Sequence, residues 1–234
     1  MIQEVCECLG TRGIEDDAYS VLQSFGSAAA KEVDRYYLKA SGNVSSGKIL
    51  LRLMSKIHPP ADMSFLVERL SSNSRPIREM ALNTLEDTQY VVKENEKERL
   101  KKNIYETFGT LTWIIAAQIS LKNGKNDFLS GEMDKEYVRW KDFLLRLMHL
   151  VYGDKAEEAD EKSPSEQDNL IRSIPEIAGL IFNSPPDQDD YKKRLKKLQH
   201  YFPVEVPSYK SLLEDIINCD YNLIGIWTKA CTLR

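Results

Sequence analysis

Phe65-Leu66-Val67-Glu68-Arg69-Leu70-Ser71-Ser72-Asn73-Ser74-Arg75-Pro76-Ile77-Arg78-Glu79-Met80-Ala81-Leu82 reads as two short amphipathic helices around a polar turn. Phe65, Leu66, Val67 and Leu70 form the apolar face of the first, and the second carries Ile77, Met80, Ala81, Leu82 and Leu85. Ser71 to Ser74 compete with the helical backbone for hydrogen bonds and end the first helix. Pro76 just inside the second costs nothing, because the first-turn amides have no intrahelical partner. Such a pair cannot bury its apolar stripe alone and must stack on others.

The same grammar extends both ways. From Asp17 to Ala40 apolar residues recur at three- and four-residue steps, with Gly26 a candidate break. Ser45 or Ser46 is placed to cap a helix carrying Ile49, Leu50, Leu53, Met54 and Ile57, which His58-Pro59-Pro60 stops. Asp62 is read as opening the next. The charged run Val91–Arg99 predicts the exposed start of a long helix to about Leu121, and a second long helix is expected from about Asp134 to Tyr152. Apolar periodicity returns from Asn169, with helices expected at Tyr191–Tyr201, Tyr209–Ile217 and Leu223–Leu233. No useful stretch alternates with period two, so the fold class is all-α, with sequential neighbours antiparallel across short connections.

Two segments resemble each other. The first is the one quoted above; the second runs Leu212-Leu213-Glu214-Asp215-Ile216-Ile217, a turn, then Trp227-Thr228-Lys229-Ala230-Cys231-Thr232-Leu233. Both resemble a HEAT repeat: an outer amphipathic helix, a polar turn, and an inner helix with a basic residue shortly before a small one, here Ala81 and Ala230. The resemblance implies a right-handed α-solenoid of antiparallel helix pairs, built from units of about 40 residues.

The order of segments is similar to that of the soluble HEAT region in bacterial proteins related to ATP/ADP nucleotide transporters. It runs from Phe25-Gly26 through Lys48–Ile57, the Arg78 repeat and Leu144–Tyr152 to Asp220-Tyr221-Asn222-Leu223-Ile224 and Trp227–Cys231. Gly225 and Ile226 depart from the pattern, standing where a basic inner-helix residue is expected. The acidic stretch Gly153–Asp168 also departs, replacing a short turn. The expected organisation is one HEAT-like domain over 1–234: N-terminal repeats (1–90), long central helices (91–152), an acidic loop (153–168) and C-terminal repeats (169–234) that the end of the sequence cuts short. A cytoplasmic location is expected, with tethering to the inner membrane through segments of a longer protein.

Composition narrows the function. The chain has 234 residues with 42% hydrophobic and 29% charged side chains, enough to bury a sizeable core. Lys+Arg 32 against Asp+Glu 36 gives −4, which argues against a broad nucleic-acid footprint. No apolar run approaches the ~20 residues of a membrane span; the most lipophilic, Thr107–Ile119, reads as a buried helix. Met1–Gly13 carries Glu4 and Glu7 and is not patterned as a signal peptide. Over Gly153–Asp168, seven acids face two lysines, leaving too little apolar surface to bury. This stretch is expected to be the first site of proteolytic nicking.

Chemistry-bearing motifs are sparse. Cys6, Cys8, Cys219 and Cys231 lack zinc spacing, and His58, His149 and His200 are scattered, so unpaired thiols are expected and no metal or cofactor. Ser46-Gly47-Lys48 lacks the glycine-rich cradle of a phosphate loop. Asp16-Asp17 and Asp189-Asp190 read as helix N-terminal acids. His149 is expected to pack, and Trp113, Trp140 and Trp227 to anchor the core. The basic cluster Lys192-Lys193-Arg194 and Lys196-Lys197 lies beside Tyr191, His200, Tyr201 and Phe202. Together with Arg75, Arg78 and Lys229 near the mouths of inner helices, these are the candidate partner-binding residues.

The expected function is a non-enzymatic interaction or scaffold module that docks a protein, or another domain of the same polypeptide, on its concave face. Two alternatives remain: a regulatory module beside a nucleotide-binding domain, and a HEAT-fold nucleic-acid or DNA-repair protein.

Overall fold

A computed structural model describes residues 2–9, 11, 13–40, 44–58, 63–72, 74–153, 177–182, 188–219 and 224–232. All regular structure among them is helical. The helices are α1 (Ile2–Cys8), α2 (Glu15–Phe25), α3 (Ser27–Ala40), α4 (Val44–Ile57), α5 (Ser64–Arg69), α6 (Arg75–Asp87), α7 (Glu94–Asn123), α8 (Asp127–Tyr152), α9 (residues 177–182), α10 (Gln188–Leu198), α11 (Tyr209–Asn218) and α12 (Ile226–Thr232). None is long and apolar enough to cross a membrane. The chain divides into two compact units, Met1–Asn103 and Ile104–Arg234.

In the first unit, α1 packs on α2 and α3, α2 on α3 and α4, α3 on α4, α4 on α6, and α5 on α6. Leu9, Leu22, Val33, Leu50, Leu53, Leu66, Leu82 and Leu85 are buried completely. The break at Gly26 is real: its φ of 55° lies in the region glycine tolerates, and α2 ends there. Polar contacts pin the edges of this core. The His58 ring meets the Asp34 carboxylate at 3.0 Å, and the Arg69 guanidinium lies 4.5 Å from the Tyr37 ring centroid.

Several boundaries differ from the sequence reading. α1 falls in a stretch read only as lacking a signal pattern; at seven residues it is too short to show a period, and its burial of Cys6 comes from packing on α2 and α3. α4 starts at Val44, so Ser45 and Ser46 lie within it rather than before it. α5 begins at Ser64 rather than Asp62. α8 starts at Asp127, seven residues before the expected Asp134, because the Asn126 side chain accepts the Leu129 amide at 3.0 Å and caps it there.

The charged start of α7 is not wholly exposed. Glu96 is buried and accepts the Tyr90 hydroxyl with both oxygens at 3.0 Å and the Lys93 amide at 2.9 Å. That carboxylate in the third helical position, reaching back to the residue before the helix, is half of a capping box. Of the expected nicking site Gly153–Asp168, all but Gly153 lies outside the described residues.

In the second unit the lipophilic Thr107–Ile119 stretch is buried as expected, with Phe108, Leu111, Ile114 and Ile115 in the core. Leu129, Met133, Leu144 and Leu147 of α8 join them there. α12 packs on α8 and α11. Tyr137 donates to the Ile181 carbonyl at 2.8 Å, tying α8 to α9.

Two side chains read as packed are exposed. His149 faces solvent. Trp227 is 60% exposed, whereas Trp140 is buried. α12 turns Thr228, Cys231 and Thr232 inward instead, and Ala230 outward, so its buried face is not the one the repeat alignment suggests. Ala81, its counterpart in α6, is fully buried.

Candidate functional site: the basic face of α10

The sequence Tyr191-Lys192-Lys193-Arg194-Leu195-Lys196-Lys197-Leu198 sorts itself by helical period. Tyr191, Arg194, Leu195 and Leu198 are buried, at steps of three and four; Lys192, Lys193, Lys196 and Lys197 are exposed on the opposite side.

Both ends of the helix are fixed within the second unit. At the start, the Tyr191 hydroxyl donates to Asp134 Oδ1 at 3.1 Å. The same oxygen accepts Gln118 Nε2 at 2.6 Å, and Gln118 exchanges further bonds with Ser130: Nε2 to the carbonyl at 2.8 Å and Oε1 from the hydroxyl at 2.6 Å. Gln118 interrupts an apolar run in sequence, yet here its buried amide has partners on both ends, as burial of a polar group requires.

Burial raises the Asp134 carboxyl pKa, opposed by the Tyr191 hydrogen bond and the Lys122 charge. Burial and the neighbouring carboxylate push the Tyr191 hydroxyl up, keeping it a neutral donor. The Lys122 ammonium lies 4.8 Å from the Tyr191 ring centroid. At the far end, Phe202 is buried against Tyr105, with ring centroids 4.8 Å apart, and the Tyr105 hydroxyl donates to the Tyr201 carbonyl at 3.1 Å.

Lys192, Lys193, Lys196 and Lys197 make no ion pair or hydrogen bond among the described residues. Lys196 and Lys197, in the last turn, complement the helix dipole; Lys192 and Lys193, mid-helix, gain nothing from it. The two like-charged i,i+4 pairs each cost the helix about 0.2–0.5 kcal/mol.

The other predicted residues go elsewhere. Arg194 is 5% exposed, on the opposite side of α10 from the four lysines. Arg75 pairs with Glu79 of its own helix at 3.0 Å. Arg78 donates to the Ser72 carbonyl at 2.6 Å, in the turn after α5. Lys229 donates to the Ile217 carbonyl at 3.2 Å and also to that of Cys219, at the end of α11. Lys229 thus caps the end of α11, whereas Arg78 holds the connecting turn beyond the end of α5.

A feature the sequence did not single out is a cleft of about 450 Å³ in the first unit. It is lined by Glu15, Asp16, Tyr19, Ser20, Ile49 and Arg52, with the Arg52 guanidinium 5.7 Å from the Tyr19 ring centroid. Asp16 had a visible signal as a helix N-terminal acid and Ile49 as part of an apolar stripe; Arg52 joins them through the packing of α2 on α4. Among the described residues no group of side chains could hold a metal ion. Comparison with known protein families, characterised proteins and solved structures gives no match.

Proposed function

We propose that the chain is a non-enzymatic interaction module of HEAT-like helix pairs that binds a protein partner, or another domain of its own polypeptide. The observation that carries this reading is the packing pattern of the first unit. Several helices there touch both the next helix and the next but one: α1 meets α2 and α3, α2 meets α3 and α4, and α4 meets α6. Stacked helix pairs produce that pattern, because each pair buries its apolar face against the following pair. In both repeat-like segments a basic residue of the second helix donates back to a main-chain carbonyl at or beyond the end of the first, which supports a repeated unit. Stacked pairs present rows of side chains from successive helices, a surface suited to an extended partner.

The test is reconstitution. Photoreactive residues at the exposed positions Lys193 and Trp227 would capture neighbours, and each captured protein would be purified and titrated back. A partner that binds again at micromolar or tighter Kd supports the module. Crosslinks confined to the chain itself, with no protein that binds on titration, overturn it.

A further inference from the structure

We propose that the exposed lysine face of α10 docks a carboxylate-rich segment of a protein partner. This rests on the interaction-module reading and adds the chemistry of the partner. The face is built rather than incidental: Tyr191, Leu195 and Leu198 hold one side of α10 in the core, and the Asp134–Gln118–Ser130 network fixes its first turn. That leaves Lys192, Lys193, Lys196 and Lys197 together on the outside, with none of the four neutralised among the described residues.

Spacing selects the form of the ligand. Lys192 and Lys196 lie about 6 Å apart along the helix axis, as do Lys193 and Lys197. Alternate residues of an extended chain are about 6.7 Å apart, so acids at every second position can meet both lysines of a row. Lysine ammonium groups are compact point charges that accept carboxylates from many directions, which suits an acidic segment without fixed geometry.

The same face lacks what other anionic ligands would use. Of its aromatic neighbours Tyr191 and Phe202 are buried, and the exposed His200 and half-buried Tyr201 pack edge to face on each other with ring centroids 5.4 Å apart, which leaves no row of open rings for successive bases. The one guanidinium in the run, Arg194, is buried as well, leaving no exposed planar fork for bidentate phosphate recognition. Leu195 and Leu198 are also buried, so no leucine of α10 is presented for insertion into a bilayer.

The experiment titrates a fluorescein-labelled oligoglutamate peptide against the full chain by anisotropy, at low and at moderate salt. Two variants accompany the wild type, one with Lys192, Lys193, Lys196 and Lys197 all changed to Gln, the other with all four changed to Glu. Affinity for the peptide should fall about tenfold or more in the Gln variant, a factor of a few per exposed ion pair. The Glu variant should not bind. Helical circular dichroism and the melting temperature should be kept in the Gln variant, which decides the matter even where the Glu variant fails to fold.

Labelled oligothymidylate and phosphatidylserine-containing vesicles form the other arms. Wild type that binds either of these and not the peptide overturns the proposal, as does peptide affinity unchanged by the Gln substitutions, or no peptide binding at all. A reconstituted protein partner that the Gln variant still binds at full affinity removes α10 from the interface and leaves the module reading standing.

Discussion

The amide of Gly225 donates to Glu136 Oε1 at 3.1 Å, and a Cβ placed on Gly225 would stand only 2.8 Å from that same oxygen. Glu136 is fully buried, and Oε1 also accepts the Thr228 hydroxyl at 3.2 Å and Arg139 Nη1 at 3.1 Å. A carboxylate from the middle of α8 therefore reaches the residue that precedes α12, where the first amides of that helix have no backbone partner. The glycine that breaks the repeat pattern in sequence is the residue that lets this carboxylate in.

Gly225→Ala should destabilise the protein by about 1–3 kcal/mol, the usual cost of forcing a group into a packed site. Gly131→Ala is the control: it lies inside α8 with nothing within 4 Å of the added Cβ. It should be stabilising by up to about 1 kcal/mol, through helix propensity. Urea denaturation of both variants checks the pair. A neutral Gly225→Ala would mean that α12 shifts freely, and that the Glu136 contact does not fix it.

Arg75 and Arg78 should separate in a melting experiment. Arg78→Ala leaves the Ser72 carbonyl without its charged donor and should cost about 1–3 kcal/mol. Arg75→Ala breaks an i,i+4 pair with an exposed glutamate and uncovers the packing of an arginine stem that is 19% exposed, and should cost about 1 kcal/mol or less. Equal losses would show that Arg75 is as structural as Arg78.

Replacing Glu96 with Ala should destabilise the protein by about 1–3 kcal/mol, since it leaves the Lys93 amide without its acceptor and the Tyr90 hydroxyl with only the Ser64 hydroxyl, at 3.5 Å. Tyr90→Phe removes one donor and should cost less. Chemical denaturation of the two variants and their double mutant measures the coupling. A double mutant that equals the sum of the singles would deny that these groups act as a unit.

Cys6 should give stability a slope in alkaline solution. Burial, aided by Glu32 and Glu7, pushes its thiol pKa from 9.0 up to about 11. Between those values the unfolded chain has lost the Cys6 proton while the folded chain keeps it, so the folded state binds more protons. Stability from this group is full below pH 9.0 and is lost as pH rises through about 11. Cys6→Ala should flatten the fall in melting temperature over that window, measured against the wild type. An unchanged slope would show that the thiol titrates normally.

The helical class, the long central pair and the outward lysines of α10 were legible in the sequence, because each follows from local period and turn chemistry. The alternation within Tyr191–Leu198 is enough to assign Lys192, Lys193, Lys196 and Lys197 to one face. What sequence could not supply was which groups meet across elements. Trp227 reads as core by residue type, and Lys229 as a surface cation. Yet α12 is rotated so that the indole faces outward while Lys229 bonds the end of α11.

Period sets a helix's apolar stripe only when the stripe is long. α12 has seven residues, and its rotation is chosen by Glu136 from α8, 89 positions away from Gly225. Gln118 shows the same division of labour. In the sequence it is a polar interruption, and in the fold it joins Ser130 and Asp134 of α8, which in turn hold Tyr191. The sequence by itself determined that the chain is helical and where the apolar stripes of its long helices run, since those depend on neighbours three and four positions apart; the burial of Glu96 and Glu136 and the exposure of His149 did not follow from it. The partners of its buried polar groups were decided only by tertiary structure, because a buried donor must find an acceptor wherever packing brings one.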